Sequence, residues 1–171
     1  FGVDWFNSET AGTERQLDQV AAKLGRAGLT GFYPTLITAP EKRWWPALRR
    51  MSAWVRSVRG RRSEFQRRGW AIPLGLHLEG PFLNPEASGV HSSSEMRRAR
   101  REILREISSV AGGTMKMMTV APEIHSRAEI QALCAWAEGE GVRLSVGHTR
   151  ANFAQAERAF DAHQAARMAH K

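Results

Sequence analysis

Four short stretches of this chain lie at the ends of apolar, strand-like runs, and all but the first carry a histidine or carboxylate able to hold a metal ion or move a proton. They are Pro34-Thr35, His77-Leu78-Glu79-Gly80-Pro81-Phe82 continuing into Gly89-Val90-His91, Ala121-Pro122-Glu123, and Gly147-His148-Thr149. Imidazole nitrogens and carboxylate oxygens together form a donor set for a divalent metal that keeps one position open for water. A metal held in this way polarises a carbonyl and acidifies a water, so the chemistry suggested is metal-assisted hydrolysis. Glu79 and His148 follow different strands, and in a parallel sheet both can reach one ion.

Each of these residues also has a plainer reading. Glu79 could cap the helix beyond its loop or pair with an arginine, and His148 could be a satisfied histidine at a strand end. His77 shares a side of its strand with Glu79, because side chains alternate; a supporting or structural role suits it better than ligation. His91 sits in a loop over 80–94 rich in Pro, Gly and Ser. For Glu123, behind Pro122, capping a helix is as good an account as catalysis. Met115, Met117 and Met118 read as core packing, and Cys134 falls on the apolar face of a helix with no catalytic part.

The elements that must position these groups alternate between helix and strand. Thr13 with Gln16 reads as a capping box, followed by Leu17, Val20, Ala21 and Leu24 at helical spacing and by Gly25 and Gly28 as stops. A strand is expected over 31–37, bent or ended at Pro34. Pro40 opens the next helix, whose stripe is Trp44, Leu48, Met51, Val55 and Val58, with Pro46 delaying its regular part to about Trp45. An Arg- and Gly-rich connection over 59–69 leads to a second strand over 70–77. A helix with Met96, Ile103, Leu104 and Ile107 precedes a third strand over 114–120. Ser126 with Glu129 is a second capping box, for a helix burying Ile130, Leu133, Cys134 and Ala137. A fourth strand covers 142–146, and Asn152 caps a last helix with Phe153, Ala156 and Phe160 inward. Strands separated each time by a helix imply a parallel sheet. The fold class is α/β, with about four parallel strands and one domain.

The chain has 171 residues, fewer than the roughly 250 of a complete (β/α)8 barrel. No apolar run approaches the roughly 18 residues of a membrane span, and no basic-then-apolar leader pattern opens the sequence. Phe1 in place of Met suggests a start farther upstream. One cysteine allows no internal disulfide, which suits a reducing compartment. The net charge of +8 comes from two arginine-rich stretches, one from Arg49 to Arg68 and one from Arg97 to Arg105. Arginine clusters can neutralise nucleic-acid phosphates. No recognition motif or stacking platform accompanies them, so solvated helix faces are the better reading.

The order HLEGPF (77–82), GVH (89–91), APE (121–123) and GHT (147–149) resembles N-acetylglucosamine-6-phosphate deacetylase, an amidohydrolase family. Gly28-Leu29-Thr30-Gly31-Phe32-Tyr33-Pro34-Thr35 is similar to the family's segment before an active-site strand, and the likeness runs from Gly2-Val3-Asp4 to about Phe160. The resemblance implies a partial (β/α)8 barrel, a TIM-type architecture, that is family-like over 1–160 with a divergent tail over 161–171. It implies removal of the acetyl group of N-acetylglucosamine 6-phosphate by a metal-activated water, giving glucosamine 6-phosphate and acetate. Glu79 and His148 are then the metal ligands, the metal is zinc or a similar divalent ion, and Val90 and His91 contact the sugar phosphate. The expected setting is the cytoplasm and amino-sugar breakdown, with the full-length enzyme as a homo-oligomer. The family's His-x-His pair, a further ligand histidine and its general-base aspartate are expected outside these residues, so no catalytic acid or base is assigned and the piece is expected to be inactive alone. Neither His163 nor His170 matches the missing histidine; a frameshift or contig end near Asp161 is one origin for the tail. The alternatives are a basic half-barrel that binds sugar phosphate or polyanion without catalysis, and an amidohydrolase for another amide.

Overall fold

The computed structural model describes residues 10–169, with side chains undescribed at 10–13, 160, 163, 166, 167 and 169. The stretch 2–4, the side chains of Phe160 and His163, and His170 therefore lie outside the described residues. Four strands form one parallel sheet in the order β2 (Thr35–Ile37), β4 (Leu76–Glu79), β5 (Met115–Val120) and β6 (Arg143–Val146). Neighbours in space follow chain order with no reversal. A doubly wound sheet reverses its strand order at a switch point, whereas a barrel adds each strand on the same side.

Both predicted long strands are broken, each for a visible reason. Pro34 divides the first into β1 (Gly31–Phe32) and β2, and Leu74-Gly75 divides the second into β3 (Ile72–Pro73) and β4. β1 and β3 pair in a separate two-stranded sheet. Gly75 has φ +152°, and a Cβ there would lie 2.3 Å from Lys116 Cγ. The register shifts at this point: Leu76 pairs with Met115 and His77 with Met117, leaving Lys116 over as a bulge. The bulge puts Met115 and Met118 on the buried face three residues apart and leaves Met117 half-buried.

Helices cover the face that carries Leu36, Leu76, Leu78 and Met118. α2 (Glu41–Gly60) is the largest contributor: Trp44, Leu48, Met51, Val55 and Val58 are all buried, as their spacing predicts. It begins just after Pro40 and runs straight through Pro46, not from Trp45. α1 (Thr10–Arg26) already includes Thr13, so Thr13 is not its N-cap; Leu17, Ala21 and Ala22 are buried among its described side chains. The connection over 59–69 holds a further helix, α3 (Arg62–Arg67), anchored by the fully buried Phe65. α4 (Arg101–Ala111) buries Leu104 and Ile107 but leaves Met96 outside it. α5 (Arg127–Glu140) starts at the Ser126–Glu129 capping box and buries Ile130, Leu133, Cys134 and Ala137. Asn152 and Gln155 bond reciprocally at the start of α6 (Phe153–Ala169). Phe153, expected inward, is 81% exposed.

Many of the arginines are engaged within the fold. Arg61 pairs with Asp18, which also accepts the indole N–H of buried Trp54. Arg56 and Arg59 donate to the carbonyls of Ala111 and Gly113, closing the end of α4. Arg97 pairs with Glu41, and Arg98 with Glu129 of the capping box. No helix among the described residues is long and apolar enough to cross a membrane.

Candidate metal centre

β4 turns Leu76 and Leu78 into the core, so His77 and Glu79 face the opposite side. His77 is held crosswise by its neighbours: Nδ1 lies 3.1 Å from Thr35 Oγ1 on β2, and Nε2 lies 2.8 Å from Thr119 Oγ1 on β5. Both ring nitrogens are committed, which makes it a strut between three strands. Burial holds its pKa below the usual histidine value, against the pull of the Glu79 charge.

The chain turns sharply after Glu79. Gly80 has φ +95°, and a Cβ there would sit 2.2 Å from Thr38 Oγ1, so this position takes only glycine. Thr38 follows β2 and donates its hydroxyl to the Glu79 carbonyl. Its N–H donates to His91 Nδ1 at 3.4 Å. An N–H can only donate, so the proton of a neutral His91 sits on Nε2. That nitrogen is buried, lacks a hydrogen-bond partner among the described residues, and lies 3.8 Å from Glu79 Oε1. His91 is thus not part of an open loop: its side chain is 1% exposed, and burial, with His148 close by, lowers its pKa despite Glu79.

His148 reaches the same place from β6. It has φ +49°, a left-handed conformation that costs a residue with a Cβ on the order of 1–2 kcal/mol. The surroundings hold it there. Asn84 N–H donates to the His148 carbonyl at 3.0 Å, and His148 Nδ1 lies 3.0 Å from the Ala87 carbonyl. A carbonyl only accepts, so the proton of a neutral His148 sits on Nδ1. Its Nε2 lone pair then faces Glu79 Oε1 at 3.0 Å. Two electron-pair donors at that distance need a cation to satisfy both, either a proton or a metal ion. A metal-binding imidazole with its other nitrogen donating to a carbonyl is the arrangement that fixes a ligand's tautomer, so the donor set fits a divalent metal.

Glu79, His91 and His148 each offer an atom, all within 4.8 Å of one another. The rings of His91 and His148 meet edge to face with centroids 4.5 Å apart. Val90 stands apart at 87% exposure. Glu123 lies neither at a helix cap nor among these three groups. Its Oε1 accepts Asn84 Nδ2–H (2.7 Å) and the Arg150 N–H (2.6 Å), and its Oε2 accepts the Thr149 hydroxyl (2.5 Å). These bonds hold its pKa below the usual carboxylate value although burial pushes the other way. Neither Thr38 nor Asn84 stands out by residue type or spacing; only the Asn84-Pro85 step, a turn signal, marks the second. A separate cavity of about 600 Å³ opens between α5 and α6, lined by Ile130, Arg158 and Ala162, and none of the three clustered groups reaches it.

No family model matches the chain. A bovine (Bos taurus) N-acetylglucosamine-6-phosphate deacetylase is 32% identical over 163 residues, which is 93% of this chain and 36% of that protein. An N-acetylgalactosamine-6-phosphate deacetylase of Escherichia coli O157:H7 is 31% identical over 147 residues, 85% of this chain and 36% of its own length. Among solved structures, the N-acetyl-D-glucosamine-6-phosphate deacetylase of Mycobacterium smegmatis superposes with a TM-score of 0.70 at 30% identity, covering 90% of this chain and 36% of that one. The chain is a relative of the N-acetylglucosamine-6-phosphate deacetylases. It spans about a third of the length of these deacetylases. The likeness bears out the expected partial (β/α)8 barrel. A mutant of the mycobacterial deacetylase has been solved in complex with N-acetyl-D-glucosamine-6-phosphate, so that deacetylase takes a sugar phosphate as its ligand.

Proposed function

We propose that this chain is part of a metal-dependent deacetylase for N-acetylglucosamine 6-phosphate and supplies metal-holding and substrate-holding groups. The observation that carries the reading is the pairing of His148 Nε2 with Glu79 Oε1 at 3.0 Å while His148 Nδ1 is occupied by the Ala87 carbonyl. Glu79 and His148 would hold the metal, with zinc suited to one imidazole and one carboxylate. When bound, the metal supplies a Lewis acid that polarises the acetamide carbonyl and acidifies water.

The remaining groups are assigned by what they can still donate. His91 keeps a buried Nε2–H without a hydrogen-bond partner among the described residues, which orients a substrate oxygen beside the Glu79 carboxylate. Exposed Val90 stands at the rim of the substrate entrance. His77 keeps Glu79 in place by tying β2, β4 and β5 together. Residues 1–171 are read as one piece of a single barrel domain acting in the cytoplasm in amino-sugar breakdown. The engagement of so many arginines within the fold argues against the polyanion-binding alternative.

Calorimetric titration of the zinc-loaded chain with N-acetylglucosamine 6-phosphate tests the substrate. Saturable binding that is lost without metal and weakened in His91→Ala is expected. Metal-loaded chain that takes up no sugar phosphate would overturn the substrate assignment. Acetate release is expected only from a longer protein that joins this sequence to a general base, a group whose help typically contributes about 10²–10⁴-fold.

A further inference from the structure

We propose that Glu123 is a positioning residue for His148, and that its carboxylate sets how tightly the site holds a divalent metal. The inference rests on the metal reading above.

The argument starts from what His148 requires. Its backbone is left-handed without being glycine, so its conformation must be imposed from outside. The two residues that follow it are both gripped by Glu123, Thr149 through its hydroxyl and Arg150 through its N–H. The Thr149 hydroxyl also accepts the Ala151 N–H, which fixes its proton toward Glu123. The segment leaving His148 is therefore held at both residues by this carboxylate, with the exposed Arg150 side chain adding a bond to Glu86.

The same carboxylate governs the other side of the ring. Asn84 donates its side-chain N–H to Glu123, and its side-chain oxygen accepts the Glu86 N–H. That orients Asn84 to cap the 3-10 turn Pro85–Ala87. The Ala87 carbonyl of this turn accepts His148 Nδ1–H, and the Asn84 backbone N–H donates to the His148 carbonyl. Glu123 thus fixes the ring's tautomer from one side and its backbone from the other, joining the loops after β4, β5 and β6. It makes no contact with the Glu79 carboxylate among the hydrogen bonds described, so it acts through His148 alone. An amide cannot replace it: Gln offers one acceptor oxygen where Asn84, Thr149 and Arg150 require both.

Groups that orient a metal ligand typically change metal affinity about 10–100-fold when removed. The test uses the 171-residue chain with Co²⁺ and Zn²⁺ as probes, competed against a chelator, in wild type, Glu123→Gln and Glu129→Gln. Glu129 is a control because it caps α5 and pairs with Arg98 without touching the loops around His148. The expected result is a 10–100-fold weaker affinity in Glu123→Gln with a shifted Co²⁺ absorption band, and unchanged affinity in Glu129→Gln. Wild-type affinity and spectrum in Glu123→Gln would overturn the proposal. If Glu123→Gln does not fold by circular dichroism, Thr149→Val removes the bond to Glu123 Oε2, together with the Ala151 N–H bond to the same hydroxyl, and keeps both bonds to Oε1. Weaker binding there supports the proposal, and unchanged binding overturns it. Wild-type chain that binds neither metal would instead bring down the metal reading, and this inference with it.

Discussion

His148 Nε2 lies 3.0 Å from Glu79 Oε1, although the two residues are 69 positions apart in the chain. Nothing local brings them together. Glu79 ends β4 and His148 follows β6, with all of β5 between them in the sheet. Their meeting depends on the register of three parallel strands and on loops that turn back over the strand ends. That dependence explains why the supporting groups, Thr38, Asn84 and Glu123, come from three further places in the sequence.

Asp18 is predicted to be worth more than an exposed ion pair. It accepts the Trp54 indole N–H at 2.9 Å and pairs with Arg61 at 2.8 Å. Trp54 is fully buried. Asp18→Ala leaves the indole N–H without a partner, a loss of about 1–3 kcal/mol. Urea melts of the two proteins measure it; a difference under about 0.5 kcal/mol would show that the indole finds another acceptor.

His125 is predicted to make stability fall in mild acid. It is 9% exposed, its Nδ1 accepts the Ala99 N–H, and burial lowers its pKa from 6.5 to about 4. Between those values the unfolded chain takes up a proton that the folded chain refuses. Stability is therefore full above about 6.5, declines as pH drops toward 4, and levels off below that. The decline is on the order of 3 kcal/mol. Urea melts at pH 7.5 and 4.5 should show a smaller decline in His125→Gln; an equal decline would assign the effect to other groups.

Cys134 is predicted to be inert in the native chain. It is 2% exposed, and burial raises its thiol pKa to about 11. The thiolate is the reactive form, so labelling by a disulfide reagent at pH 8 should be slow when folded and rapid in denaturant. Fast labelling of the folded chain would contradict this placement on α5.

Periodicity made the covering helices legible: the stripe from Trp44 to Val58 and the Ser126–Glu129 box appear in the structure as the sequence suggests. Other features depend on tertiary contacts that spacing does not encode. Phe65 anchors α3 inside a stretch that reads as a polar connection, because a single buried aromatic leaves no helical stripe to detect. The Lys116 bulge gives β5 a three-residue step between its buried methionines. Phe153 keeps an apolar identity at helical spacing yet faces outward. At the site, Glu79 and His148 stood out by type and by position at strand ends. The burial of His91 and the three-way grip of Glu123 did not, since both arise from loops folding over one another.

The most direct measurement is the metal content of the purified chain by elemental analysis, for wild type, Glu79→Gln and His148→Ala after equilibration with zinc. The account predicts about one zinc per wild-type chain and loss of it in both variants, because each substitution removes one of two facing donors. Zinc retained at wild-type content in either variant, or absent from the wild type, would contradict the assignment of Glu79 and His148 as the metal-holding pair.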